Sequence, residues 1–254
     1  DPRNADLYVN TIKAYTQALK DHPTHSLYRE ARREALDRFR ALSDVDRRHK
    51  DSEVFYFNLG YLYQEMGESR EAIAAYELAL DLNPNYINAL YNLGNLYEQI
   101  QENKKALFFY EKVIRLNPKH PEAYLNSGVI CGRLGDYPRA IEFYNKAILA
   151  NPKLAHAYFN LGYVYEIRKE PEKAIENYEK AIQADPRHAE AYYNMGNVYA
   201  RMRLNDKAIA SYRGAVEINP NHRDALVNLS ILSFRQKDYA GAVQYFDEAR
   251  ILGY

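Results

Sequence analysis

The sequence predicts an all-α protein in which one helix pair is repeated and stacked on copies of itself. Three observations carry that reading. Pro84, Pro118, Pro152, Pro186 and Pro220 stand 34 residues apart without a slip. Small residues recur in the same frame, Gly60, Gly94, Gly128, Gly162 and Gly196 at one place and Ala72, Ala106, Ala140, Ala174, Ala208 and Ala242 at another. Within each period the apolar residues follow helical spacing, as in Tyr158, Leu161, Gly162 and Tyr165, rather than strand alternation.

Taking each proline as position 32 sets six units, 53–86, 87–120, 121–154, 155–188, 189–222 and 223–254. The first helix of a unit carries the glycine at position 8. The second carries the alanine at position 20 and Tyr76, Tyr110, Tyr144, Tyr178, Tyr212 or Phe246 at position 24. Polar and turn-forming residues, such as Lys169, Glu170 and Pro171, separate the two helices. The second helix ends near the proline, whose ring cannot continue a helix interior and restricts the residue before it. Glycine at position 8 and alanine at position 20 let two helix axes approach closely, and the tyrosines fill the space around that contact. Such a pair is apolar on both broad sides and buries them by stacking on its neighbours.

This unit resembles the tetratricopeptide repeat, with a large residue at position 4, Leu at 7, Gly at 8, Tyr at 11, Ala at 20 and 27, an aromatic at 24 and Pro at 32. The family's Trp at position 4 is replaced by Tyr56, Tyr124, Tyr158 and Tyr192, in a chain with 25 Tyr and no Trp. The resemblance implies a right-handed α-α superhelix, a solenoid of six helix pairs. The unit 121–154 departs from the pattern at Ser127 and Cys131, and the last unit at Ser230 and Ser233; looser packing is expected there.

Residues 1–52 lie outside the frame. Leu7, Ile12, Tyr15, Ala18 and Leu19 mark one amphipathic helix that stops before Pro23. Tyr28, Ala31, Ala35, Phe39 and Leu42 mark a second, running from about Ser26 into the high 40s. The expected role of this extra pair is a degenerate cap over the first repeat, since solenoid ends need a polar outer face. The last repeat is expected to expose an apolar outer face. A start at Asp1 without Met reads as an excised or processed piece.

Composition removes several function classes. Lys+Arg and Asp+Glu both number 34, so the chain lacks the basic footprint of a nucleic-acid binder. A helical-repeat RNA binder is kept as a minor alternative. No apolar run is long enough to predict membrane insertion. The single cysteine, Cys131, excludes an internal disulfide; it fits the cytoplasm, slightly favoured, and also a bacterial periplasm. His120, His188 and His222 all fall at position 34, one or two repeats apart, too far to share a metal. With no metal-binding, phosphate-loop or nucleophile motif, the sequence reads as non-catalytic, with no cofactor and no metal.

The resemblance places positions 2, 5, 6, 9, 12 and 13 on a concave, partner-binding face. Position 6 is Asn in every unit: Asn58, Asn92, Asn126, Asn160, Asn194 and Asn228. A carboxamide can pair with a peptide N–H and C=O together, so one per repeat can hold an extended backbone; the competing role is to tie one repeat to the next. Tyr91, Phe159 and Tyr193 at position 5 are candidate anchors for partner side chains or half-buried packing groups. Glu122 and Glu190 at position 2 favour a partner with basic character. Positions 2, 5 and 6 hold no Lys or Arg, which disfavours the acidic chaperone tails that some relatives clamp. The expected function is an adaptor or scaffold binding a segment of another protein. The alternative is a self-assembling scaffold that uses the open C-terminal face or the groove.

Overall fold

The computed structural model describes residues 2–45 and 52–253 and contains, among them, fourteen helices and no strand. Two helices precede the repeats, α1 (Pro2–Asp21) and α2 (Ser26–Val45). Each repeat then contributes a pair: α3 (Glu53–Glu65) with α4 (Ser69–Leu82), α5 (Ile87–Gln99) with α6 (Asn103–Leu116), α7 (Pro121–Arg133) with α8 (Tyr137–Ala150). The series continues with α9 (Ala155–Ile167) and α10 (Pro171–Ala184), α11 (Ala189–Arg201) and α12 (Asn205–Ile218), α13 (Arg223–Arg235) and α14 (Tyr239–Ile251). The chain forms two compact units, Asp1–Pro118 and Lys119–Tyr254. The second α2 boundary, expected in the high 40s, lies outside the described residues.

The close contact within a pair is glycine against tyrosine. A Cβ built on Gly60, Gly94, Gly128, Gly162 or Gly196 would stand 2.5 to 2.9 Å from the ring of the position-24 tyrosine of the same repeat. Only a residue without a Cβ lets that ring lie flat on the first helix. Tyr76, Tyr110, Tyr178 and Tyr212 are among the largest fully buried side chains. Ser127 and Cys131 do not loosen their repeat. Both are buried, and the Ser127 hydroxyl donates to the Ala123 carbonyl at 2.8 Å.

Turns within the pairs share one geometry that the sequence shows only in part. Position 15 has positive φ in all six repeats, at Gly67, Gln101, Gly135, Lys169, Arg203 and Lys237. The next N–H closes back on the carbonyl of position 11, as from Glu68 to Tyr63 at 2.9 Å and from Glu170 to Tyr165 at 2.9 Å. This left-handed cap satisfies carbonyls that a helix end would otherwise leave open. Between pairs, the residue before the proline makes a side-chain turn: Asn83, Asn151, Asp185 and Asn219 accept from the N–H two residues on, at 3.0 to 3.1 Å. The position-34 histidines then cap the next helix. Nδ1 of His120, His188 and His222 accepts from the N–H of Ala123, Ala191 and Ala225.

In the first unit, α1 packs on α2 and on α3. Ile12 and Phe39 are fully buried, and the Phe39 ring stacks on Phe55 of α3 with centroids 4.7 Å apart. In the second unit, α13 and α14 present Ile231, Phe234, Tyr239, Val243 and Phe246 to solvent, around a cavity of about 410 Å³.

Candidate functional site

First helices of successive repeats lie side by side within each unit, α3 beside α5, and α9 beside both α7 and α11. The position-6 asparagines sit on this surface and are all half-buried. The amide groups of Asn92, Asn194 and Asn228 reach the tyrosine of the repeat before. Asn92 Nδ2 donates to the Tyr76 hydroxyl at 3.0 Å, and Asn194 and Asn228 hydrogen-bond the hydroxyls of Tyr178 and Tyr212. Each hydroxyl in turn donates to its own first helix. Tyr76 reaches Gln64 at 3.0 Å, Tyr178 reaches Glu166 at 2.7 Å and Tyr212 reaches Asn197 at 2.7 Å. Tyr110 points to Asn95 at 2.8 Å and Glu98 at 3.0 Å.

A phenol can accept and donate at once, so these residues form a relay from Asn at position 6, through Tyr at position 24, to position 9 or 12. Burial raises the phenol pKa of Tyr76 and Tyr178, and that of Tyr212 to about 12. The hydroxyls therefore stay protonated and able to donate at neutral pH. The tie uses one N–H of Asn92 and leaves its carbonyl oxygen and other N–H uncommitted.

Position-5 rings are half-buried packing groups as well as surface. Phe159 lies 5.8 Å from Tyr178 and stacks on His188 at 4.8 Å. Tyr193 repeats this with Tyr212 at 5.8 Å and His222 at 4.6 Å. Tyr91 lies 5.8 Å from Tyr110. Glu122 and Glu190 are exposed. Glu122 meets His120 Nδ1 at 3.1 Å, and Glu190 stands 3.6 Å from His222 Nε2. The second unit thus brings Phe159 and Asn160 of α9 beside Glu190, Tyr193 and Asn194 of α11.

Sequence reasoning missed a cavity of about 320 Å³ on this surface, lined by Val129, Gly132 and Arg133 of α7, Tyr137 and Tyr144 of α8, and Asn160, Tyr163, Val164 and Ile167 of α9. Its signal was present at position 12, which reads Gln64, Glu98, Gly132, Glu166, Ala200 and Phe234; one repeat there has no side chain at all. Among the described residues no group of His, Cys, Asp and Glu is arranged to hold a metal ion, and no helix is long and apolar enough to cross a membrane.

These repeats define a class, and comparison agrees. Tetratricopeptide repeat models match residues 54–86, 87–120 and 121–154, then 143–176 and 193–253, with a further TPR repeat model at 168–202. The chain belongs to the tetratricopeptide repeat family. Among solved structures it is similar to MamA, with 32% identity and a TM-score of 0.61 over 64% of this chain and 95% of that one. It is similar to YrrB, a TPR protein with an unusual peptide-binding site, with 25% identity and a TM-score of 0.60 over 78% of this chain and 98% of that one. PilF of Pseudomonas aeruginosa shares the fold at 20% identity and a TM-score of 0.69, over 81% and 93% of the two chains. No functionally curated protein matches the sequence.

Proposed function

We propose that this chain is a non-catalytic adaptor that holds an extended segment of a partner protein across the first-helix surface. The observation that carries this is the fixed posture of the asparagines. Asn92 is tied by one N–H to Tyr76, so its carbonyl oxygen and remaining N–H are held in place before any partner arrives. Pre-ordered side chains lose less entropy on binding than free ones. Exposed Glu122, Glu190 and Asp224 on the same helices favour a segment with basic side chains. The likeness to YrrB, a peptide-binding TPR protein, supports the class of ligand. We assign α1 and α2 the role of a cap over the first repeat, supported by the Phe39–Phe55 stack.

The test starts from a partner captured with the intact chain. Asn126, Asn160 and Asn194 replaced together by Ala should weaken binding about ten- to a thousand-fold, three net hydrogen bonds at about 0.5–1.5 kcal/mol each. Tyr178→Phe separates ladder from tie, because it removes the hydroxyl that holds Asn194 and leaves the carboxamide. A larger loss for the triple variant than for Tyr178→Phe, with both folded, supports direct contact. Undiminished binding by the folded triple variant refutes it.

Self-association is a second reading, favoured by the exposed apolar residues of α13 and α14, among them Phe234 at 64% and Val243 at 61% of full exposure. Light scattering across concentration checks it: a constant monomer mass refutes this reading.

A further inference from the structure

We propose that the cavity at Gly132 seats one leucine side chain of the bound segment, an inference that rests on the extended-segment reading above and adds a sequence preference to it. The repeats themselves supply the comparison. Position 12 of one repeat meets position 13 of the next first helix where Glu166 pairs with the Arg201 guanidinium at 2.7 Å. In that register the successive couples read Gln64 with Gln99, Glu98 with Arg133, Gly132 with Ile167, Glu166 with Arg201, and Ala200 with Arg235. Every couple but one contains a polar side chain. Gly132 with Ile167 contains none, and one of its two members has no side chain at all. Position 9 follows the same course, with Val129 and Tyr163 at this joint between Asn95 and Asn197 in the repeats on either side.

What remains is an apolar space of about 320 Å³ walled by Val129, Val164 and Ile167. Tyr163 and Ile167 stand at it 50% and 40% exposed, so an apolar occupant removes their surface from water together with its own. A Cβ on Gly132 would stand 3.6 Å from the Tyr144 hydroxyl and 4.0 Å from the Ala140 Cβ, ordinary contact distances, so carbon atoms fit there without displacing a neighbour. Arg133 and Tyr144 also border the space and have interactions of their own; a leucine requires neither. Asn160 lines the same space, so a backbone held at Asn160 carries a side chain to it. The helices on either side of α9, α7 and α11, bear the exposed carboxylates of Glu122 and Glu190. Lysines flanking the leucine therefore meet opposite charge, and the occupant is a basic segment with one leucine at this joint.

The probes are two pentapeptides of equal charge, acetyl-Lys-Lys-Leu-Lys-Lys-amide and the same peptide with Asn in place of Leu. Each is titrated into the full isotope-labelled chain and followed by NMR. The expected result is saturable shifts at Val129, Gly132 and Ile167 with the leucine peptide, which binds about ten- to a hundredfold more tightly than the asparagine peptide through burial of one leucine side chain. Gly132→Leu fills the cavity from within, and Ile167→Arg restores the residue that position 13 carries as Arg133, Arg201 and Arg235. Each should bring the two peptides to equal affinity. Ile167→Arg alters an exposed position and keeps the test decisive if Gly132→Leu misfolds. Equal affinities in the parent, no saturable shift with the leucine peptide, or a leucine preference that survives Ile167→Arg in a folded chain each overturn the proposal. Asn126→Ala combined with Asn194→Ala leaves the cavity lining intact and separates the two readings. Equal binding of both peptides by the parent, lost in this double variant, refutes the pocket alone. A leucine preference with undiminished affinity in the double variant refutes the asparagine ladder alone.

Discussion

Two glycines one helix apart should respond in opposite directions to the same substitution. At Gly162 an added Cβ would stand 2.9 Å from Cδ1 and from Cε1 of Tyr178, and 3.1 Å from the Ala174 carbonyl oxygen. Carbon atoms prefer about 3.5–4.0 Å, so all three contacts are too short. The ring has little room to move, since Tyr178 is fully buried and its hydroxyl is held by Glu166 and Asn194. Overpacking of this kind costs about 1–3 kcal/mol, in the upper half here because one of the obstructing atoms is backbone. Replacing Gly by Ala within a helix returns about 1 kcal/mol, leaving Gly162→Ala destabilised by about 1–2 kcal/mol. At Gly132 the same methyl meets nothing closer than 3.6 Å, so Gly132→Ala keeps a helix gain of about 0.5–1 kcal/mol. For a chain of 254 residues about 2–4 °C accompanies each kcal/mol. Thermal and urea melts should therefore show Gly162→Ala lower by about 2–8 °C and Gly132→Ala higher by about 1–4 °C. Melting shifts of the same sign for both variants would refute the close-contact reasoning, and Gly162→Leu within a degree of the parent would refute the repeat register.

Other consequences follow from the joints and caps. Lys169 adopts φ 60°, where a side chain is disfavoured by about 1 kcal/mol, so Lys169→Gly should raise the melting temperature; a clear fall would show that the side chain earns its place some other way. Tyr178→Phe should destabilise by about 0.5–1.5 kcal/mol by removing the hydroxyl that Glu166 and Asn194 share, Glu166 keeping its pair with Arg201, and a urea midpoint equal to the parent's would exclude the relay as a stabilising element. His188 is held below its ordinary pKa by burial and by neighbouring His156, and its Nδ1 caps Ala191. The unfolded state then takes up protons first, so stability is complete above about pH 6.5 and declines as pH falls below it. Melting scans from pH 7.5 to 5 should show that decline reduced in His188→Asn, and an identical pH profile would refute it.

Repetition made the fold legible. Prolines in one frame, glycine at position 8 and tyrosine at position 24 specify which helix packs on which, because each signal is written several times and local rules decide it. The shared left-handed turn was legible only at Gly67 and Gly135, since Gln101, Lys169, Arg203 and Lys237 carry side chains that normally avoid that conformation. At the candidate site the asparagines were visible as a row, but the tyrosine partners of Asn92, Asn194 and Asn228 lie in the preceding repeat's second helix, a pairing that spacing alone does not reveal. The Gly132 cavity is an absence in one copy. A pattern search weighted toward what the copies share passes over it, although helix propensity argues against glycine at an ordinary interior position.

On the proposed reading of the asparagines, the relay joins stacking and binding in the same atoms. Asn194 contributes to the joint with the preceding repeat through Tyr178, and Tyr178 ends on Glu166, which also meets Arg201 across the next first helix. Hydrogen bonds in such a chain polarise one another. A peptide N–H donating to the Asn194 carbonyl oxygen makes its amide a stronger donor to Tyr178, and the phenol a stronger donor to Glu166. Occupancy of the surface then tightens the joint beneath it.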